Sequence, residues 1–337
     1  MKTRPVEFYA KGQKIVGTLY LPDDHKEGIR LPCIIPCSGF TGINAAYPAL
    51  LARALSKYGY AALGFDFRGW APSEGEPGWT TAEDEYFDIL ASYTFATQQP
   101  EIQPENIGLF GWGFAAPTVI KLAADYPEIK AVACGNGVYN GDRRLRTILT
   151  VRDYEHMKEA ARQDRIKRTL TGKGTLVNSY TQSASNCVIA YQEGKFLNIS
   201  LAAMAAEPIK KVEEDTEVTG ERGKNFTNCG DAAAAIAKNY AGKEFPPRHC
   251  FETWDSFDRI DASYDVKRIY PRPIFLGHAI DDLFYPVSEA QLMAKEIGIT
   301  CTTCYVNGGH NGWMFDDEPE FIRFSKELAD FYDKALK

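Results

Sequence analysis

The sequence predicts an α/β protein: a mostly parallel sheet with helices on both faces, interrupted once by a long insertion. Three observations carry this. Short apolar runs at 31–37 (LPCIIPC) and 60–65 (YAALGF) have the unbroken hydrophobicity of strands buried on both faces. Stretches with helical spacing alternate with them, at 47–58, 82–97 and 114–125. The alternation stops after Val138 and resumes near Pro271.

Taken in order, residues 13–21 (QKIVGTLYL) alternate apolar and polar, as a half-exposed antiparallel strand does. The buried strands at 31–37 and 60–65 bracket the helix at 47–58. The helix at 82–97 leads to a strand at 107–110, and the helix at 114–125 to a strand at 129–134. Beyond Val138 the chain turns more polar. It has a helical pattern at 151–170 and a charged, Gly-containing run from Glu213 to Lys224 that reads as a solvated loop. From Pro271 onward a strand at 274–276, a helix at 287–296, a strand at 301–306 and an amphipathic helix at 319–336 close the chain. Residues 1–139 and 266–337 therefore read as one core domain of about eight strands, with 140–265 as an inserted, mainly helical cap.

Composition narrows the function classes. The 337 residues are 45% hydrophobic and 25% charged, an ordinary globular balance. A net charge of −7 argues against a nucleic-acid partner, which calls for a basic face, and favours a small-molecule substrate. No stretch approaches the roughly 20 apolar residues that span a bilayer, so no membrane partner is expected. Residues 1–7 lack the apolar core of a secretory signal, so the expected location is cytoplasmic and the eight cysteines are expected to be reduced. Cys33, Cys37, Cys301 and Cys304 then read as strand cysteines rather than metal or redox pairs. The sequons at Asn198 and Asn225 carry little weight in such a chain. The oligomeric state stays open, a homodimer being one option.

The segment from Ile107 to Ala116 joins a strand directly to a helix and admits two readings. Gly111-x-Gly113-x-x-Ala116 can be a dinucleotide fingerprint. Alternatively, Gly111-Trp112-Gly113-Phe114-Ala115 is a nucleophile elbow of G-x-S-x-G type with Gly113 at the Ser position. About four strands precede this turn, whereas a dinucleotide fingerprint usually follows the first strand of its unit. The next strand also ends Cys134-Gly135-Asn136, without the acidic residue that a ribose requires. Both points favour the elbow. Pro36 to Gly42 contains a Gly turn after a buried strand, and the N–H groups of Phe40 and Phe114 could together form an oxyanion hole. Late in the chain, Gly277-His278-Ala279-Ile280-Asp281-Asp282 and Gly308-Gly309-His310 follow successive strands. That is the acid-then-base order of a hydrolase triad.

With these motifs in place, the chain resembles the α/β-hydrolase fold, near its dienelactone-hydrolase and X-Pro-peptidase-like esterase branches. Asp66-Phe67-Arg68-Gly69 with Ser73-Glu74-Gly75 is similar to the family segment D-x-R-G-x-G-x-S-x-G. Ser38-Gly39-Phe40 is similar to its H-G-F oxyanion segment. The resemblance covers roughly 13–138 and 270–336. It implies Asp281 as the acid, with Asp282 the alternative, and His310 as the base; His278 reads as a turn residue. Ser38, Trp112, Tyr139 and Trp313 fall around the expected pocket, which favours an apolar or aromatic ester, lactone or C–C substrate. No metal or organic cofactor is implied.

Gly113 departs from the pattern, because without a hydroxyl it cannot form an acyl-enzyme. Three accounts stand: an inactivated variant of a Ser-His-Asp enzyme; a naturally Ser-free enzyme, such as a lyase or cyclase, using His310 and its acid as general acid/base; or a non-catalytic ligand-binding protein on the same scaffold.

Overall fold

The computed structural model describes residues 1–39, 42–44, 47–70, 72–178, 248–282, 285–310 and 312–337. In chain order the strands are β1 (Lys2–Ala10), β2 (Gln13–Leu21), β3 (Leu31–Cys37), β4 (Ala61–Phe65), β5 (Ile102–Trp112), β6 (Ala131–Gly135), β7 (Leu176–Asn178), β8 (Arg248–Cys250), β9 (Ile274–Ala279) and β10 (Cys301–Val306). Eight of them form one sheet in the order β1-β2-β4-β3-β5-β6-β9-β10. The β1–β2 and β2–β4 pairs are antiparallel, and every later pair is parallel. Strands β3, β4 and β6 are buried almost throughout, as their unbroken apolar runs predict.

In the large sheet, β1 and β5 depart most from the sequence reading. β1 was not expected: Pro5 masks it, yet Val6, Phe8 and Ala10 point inward alternately and Phe8 stacks on Phe95 at 5.2 Å. The strand lies at the sheet edge, where a residue without an N–H is tolerated. β5 begins five residues before the apolar run at 107–110, because its polar start (Gln103, Glu105, Asn106) carries no strand signal.

The helices are α1 (Tyr47–Ser56), α2 (Ala82–Thr97), α3 (Ala115–Asp125), α4 (Gly141–Ile148), α5 (Val151–Thr171), α6 (Phe251–Phe257), α7 (Asp265–Ile269), α8 (Val287–Ile297) and α9 (Pro319–Leu336). α2 starts with a capping box: the Thr81 hydroxyl accepts from the Asp84 N–H at 3.2 Å, and the Asp84 carboxylate accepts from the Thr81 N–H at 3.0 Å. α9 buries Phe321, Phe324, Leu328 and Tyr332 against the sheet. It approaches so closely that a Cβ on Gly277 would stand 2.2 Å from the Phe324 ring. Among the described residues, no helix is long and apolar enough to cross a membrane.

The stretch between β6 and β9 departs and returns side by side, where residues 139–141 meet 260–262. Asn140 bridges Asp261, Gly141 N–H donates to Ile260 O at 3.0 Å, and Ala262 N–H donates to Tyr139 O at 2.8 Å. Between those two segments its described part comprises α4, α5, the β7–β8 pair and α6. α6 is docked on the core by Ala82 N–H donating to the Ser256 hydroxyl at 2.9 Å. The charged run from Glu213 to Lys224 and the sequons at Asn198 and Asn225 lie outside the described residues.

Candidate active site

At the end of β5 the chain reverses direction at Gly113 and enters α3. Gly113 has φ +55°, a left-handed conformation that a glycine adopts without a Cβ penalty. The turn is fixed on both sides: Gly113 N–H donates to Gly135 O at 2.9 Å, and Gly113 O accepts from Val138 N–H at 3.0 Å. Gly111 must be small, since a Cβ there would lie 2.7 Å from both Ala115 O and the Val119 side chain. A Cβ built on Gly113 would meet Tyr285 Cε2 at 3.2 Å and Gly39 Cα at 4.0 Å. The turn after β3 therefore abuts the elbow. Phe40, the expected oxyanion donor of that turn, lies outside the described residues. Phe114 directly follows the elbow and is fully buried. Its ring packs on Phe257 at 4.6 Å, Trp254 at 5.6 Å and Tyr285 at 5.6 Å.

The imidazole at the end of β10 finds its acid on the loop after β9. His310 Nδ1 lies 2.7 Å from Asp282 Oδ2, and both side chains are buried. A carboxylate only accepts, so Nδ1 carries the proton of this bond. This corrects the expected assignment. Asp281 does not reach His310; it is exposed and accepts from Gly308 N–H at 3.1 Å and Gly309 N–H at 2.9 Å. Successive residues leaving a strand point in different directions: Asp281 holds the backbone of the His310 turn, and Asp282 holds the imidazole. The other oxygen of Asp282 accepts from Tyr285 N–H at 2.9 Å, and Tyr285 O accepts from His278 Nε2 at 2.6 Å. His278 is thus a buried brace of this loop. Burial pushes its pKa down, keeping the ring neutral.

Three residues escaped the sequence reading. Asn136 is wholly buried: its side chain donates to His310 O at 2.8 Å and accepts from Ala279 N–H at 2.8 Å, joining the ends of β6, β9 and β10. Only its place beside two glycines at a strand end hinted at a role. Tyr285 has its ring 4.6 Å from that of His310, edge to face. Arg144, fully buried on α4, sets its guanidinium 4.8 Å from the Tyr285 ring and 5.3 Å from the Phe114 ring. Asp258 nearby is buried and pushed up to about 7, chiefly by burial, with Arg144 and Lys158 opposing.

The expected pocket residues are core residues. Ser38, Trp112, Tyr139 and Trp313 are all buried, and Trp112 stacks on Tyr47 at 4.6 Å and lies 5.7 Å from Trp313 and 5.8 Å from His310. None of them lines the cavity of about 650 Å³ that opens between α2, α3 and the stretch 252–265. That cavity is bordered by Phe87, Thr118, Lys121, Arg259 and Asp261 among others.

Comparison with known proteins agrees with this architecture. The family model described as BAAT / acyl-CoA thioester hydrolase C terminal matches residues 83–197. The chain is 32% identical over 114 residues to an uncharacterized 31.7 kDa protein of the traX-finO intergenic region of Escherichia coli, covering 34% of this chain and 40% of that protein. It is 33% identical over 129 residues to the thiohydrolase aneE of Aspergillus aculeatus, covering 38% of this chain and 39% of that one. The matched stretches thus span about 40% of the length of these curated relatives. Among solved structures, the α/β hydrolase GrgF from Penicillium sp. sh18 superposes with a TM-score of 0.71 at 18% identity, covering 100% of this chain and 99% of that one. A sheet ordered β1-β2-β4-β3-β5-β6-β9-β10, with a tight turn into α3 after its fifth strand and a His–Asp pair after its last two, gives this chain the α/β-hydrolase fold.

Proposed function

We propose that this chain hydrolyses a small carbonyl compound with an apolar or aromatic body, an ester, lactone or thioester, using Asp282 and His310 as its acid–base pair. The observation that carries the reading is the 2.7 Å His310–Asp282 bond, buried and set beside the elbow. A carboxylate on Nδ1 fixes the tautomer and stabilises the imidazolium, so Nε2 can take and return a proton. The thioester option draws on the name of the thiohydrolase relative and on the description of the matching family.

Gly113 offers no oxygen nucleophile, so no acyl-enzyme forms in this chain. Water takes that part: His310 Nε2 removes its proton as its oxygen attacks the carbonyl. The N–H of Phe114, directly after the elbow, holds the oxyanion, and His310 then protonates the leaving group. In a Gly113→Ser form the hydroxyl would attack instead, with the same pair moving the proton.

Steady-state hydrolysis of hexanoyl-CoA, 4-nitrophenyl acetate and a γ-lactone, with a C–C substrate as comparison, tests the reading. His310→Ala is expected to lower kcat by about 10²–10⁴-fold. Only the Gly113→Ser form is expected to be labelled by a fluorophosphonate. Turnover that survives unchanged in His310→Ala overturns the reading.

A further inference from the structure

We propose that Tyr285 is a catalytic residue of this site, its phenol O–H donating to the substrate carbonyl oxygen as negative charge develops there. The inference rests on the function proposed above and names a group that the serine-based pattern of the fold does not contain. Its basis is position. The ideal Cβ of residue 113 marks where a nucleophile side chain would start; it lies 3.2 Å from Tyr285 Cε2 and 3.8 Å from the Tyr285 hydroxyl oxygen. The phenol thus stands over the elbow, in the space next to a nucleophile.

The ring is aimed there by the same groups that aim the base. Tyr285 N–H donates to Asp282 Oδ1 at 2.9 Å while Asp282 Oδ2 holds His310. His278 Nε2 holds Tyr285 O at 2.6 Å from below. Edge-to-face contacts with His310 at 4.6 Å and Phe114 at 5.6 Å, and the Arg144 guanidinium 4.8 Å from the ring, fix its plane. One carboxylate therefore places both the proton acceptor and the hydroxyl donor around residue 113.

Burial keeps the phenol protonated, well above its ordinary value, with Arg144 opposing, so it serves as a donor and not as a nucleophile. The step balances without any added reagent. The water oxygen bonds to the carbonyl carbon, the C=O π pair moves onto oxygen and is met by the Tyr285 O–H, and the water proton passes to His310 Nε2. The pair then returns, the bond to the leaving group breaks, and His310 delivers its proton to that group. Tyr285 keeps its own proton throughout.

The test compares the full chain with Tyr285→Phe and His310→Ala on 4-nitrophenyl acetate and hexanoyl-CoA, with thermal melts recorded beside the kinetics. Tyr285→Phe retains the ring and its packing. It is expected to lower kcat about 10²–10³-fold with KM changed by less than about threefold, the size of a lost oxyanion donor. A fluorotyrosine at 285 is expected to move the alkaline limb of the kcat profile to lower pH, which a packing role alone would not do. Parental kcat in Tyr285→Phe, together with loss in His310→Ala, overturns the Tyr285 role and leaves the acid–base reading standing. No change in either variant, or no turnover of either compound by the full chain, overturns both.

Discussion

Asp282→Asn is expected to lower kcat about 10³–10⁴-fold, because an amide facing Nδ1 favours the wrong tautomer and gives no charge to the imidazolium. Asp281→Asn is expected to leave kcat within a fewfold and to cost about 1 kcal/mol of stability, since two backbone N–H donors lose a charged acceptor. Kinetics and urea melts of the two variants side by side check both. The aspartate pair was legible as a pair, and so was His310, from its place after a late strand. Which carboxylate meets the imidazole was not, because it depends on how the β9 loop turns against the β10 loop. Tyr285 and Asn136 belong to no motif; their parts come from hydrogen bonds across 143 to 174 positions of chain for Asn136, and from ring packing for Tyr285.

At the scale of elements, legibility followed burial. Strands buried on both faces announced themselves as apolar runs, and α9 did so through its single apolar face. The edge strand β1 and the polar start of β5 did not, since Pro5 breaks the pattern of the first and polar residues open the second. Thr81 shows how a single side chain sets an element: it caps α2, whose first turn places Asp84 and, one turn on, Asp88 against Arg68 at 3.1 Å and 2.6 Å. Thr81→Ala is expected to cost about 0.5–2 kcal/mol in thermal unfolding while leaving the His310–Asp282 geometry untouched.

For the whole molecule, the strand order converts distant segments into one site: β5, β6, β9 and β10 stand side by side, so the elbow and the two late loops share one end of the sheet. The alternation of elements was readable in the sequence, whereas that order follows from which faces pack. Stability as a function of pH is also a property of the whole fold. Asp258 is held up to about 7 in the folded state against an ordinary 3.8, so the native chain keeps a proton that the unfolded chain sheds. Its stabilising contribution is complete below about pH 4 and is lost as pH rises through about 7. Melting temperatures of the parent and of Asp258→Asn, recorded from pH 4.5 to 8, are expected to show the parent losing ground steadily relative to the variant; parallel curves would refute this. Finally, the backbone pairing of residues 139–141 with 260–262 has a consequence for how such proteins diversify. Both ends of the excursion cross the rim of the sheet side by side, and from there α4 sets Arg144 on Tyr285 while α6 sets Trp254 and Phe257 on Phe114. A loop lengthened away from those helices leaves the crossings unmoved and adds only about 0.6 kcal/mol of closure entropy per doubling. Variation far from α4 and α6 is therefore cheap, whereas a change at Arg144, Trp254 or Phe257 reaches the chemistry directly.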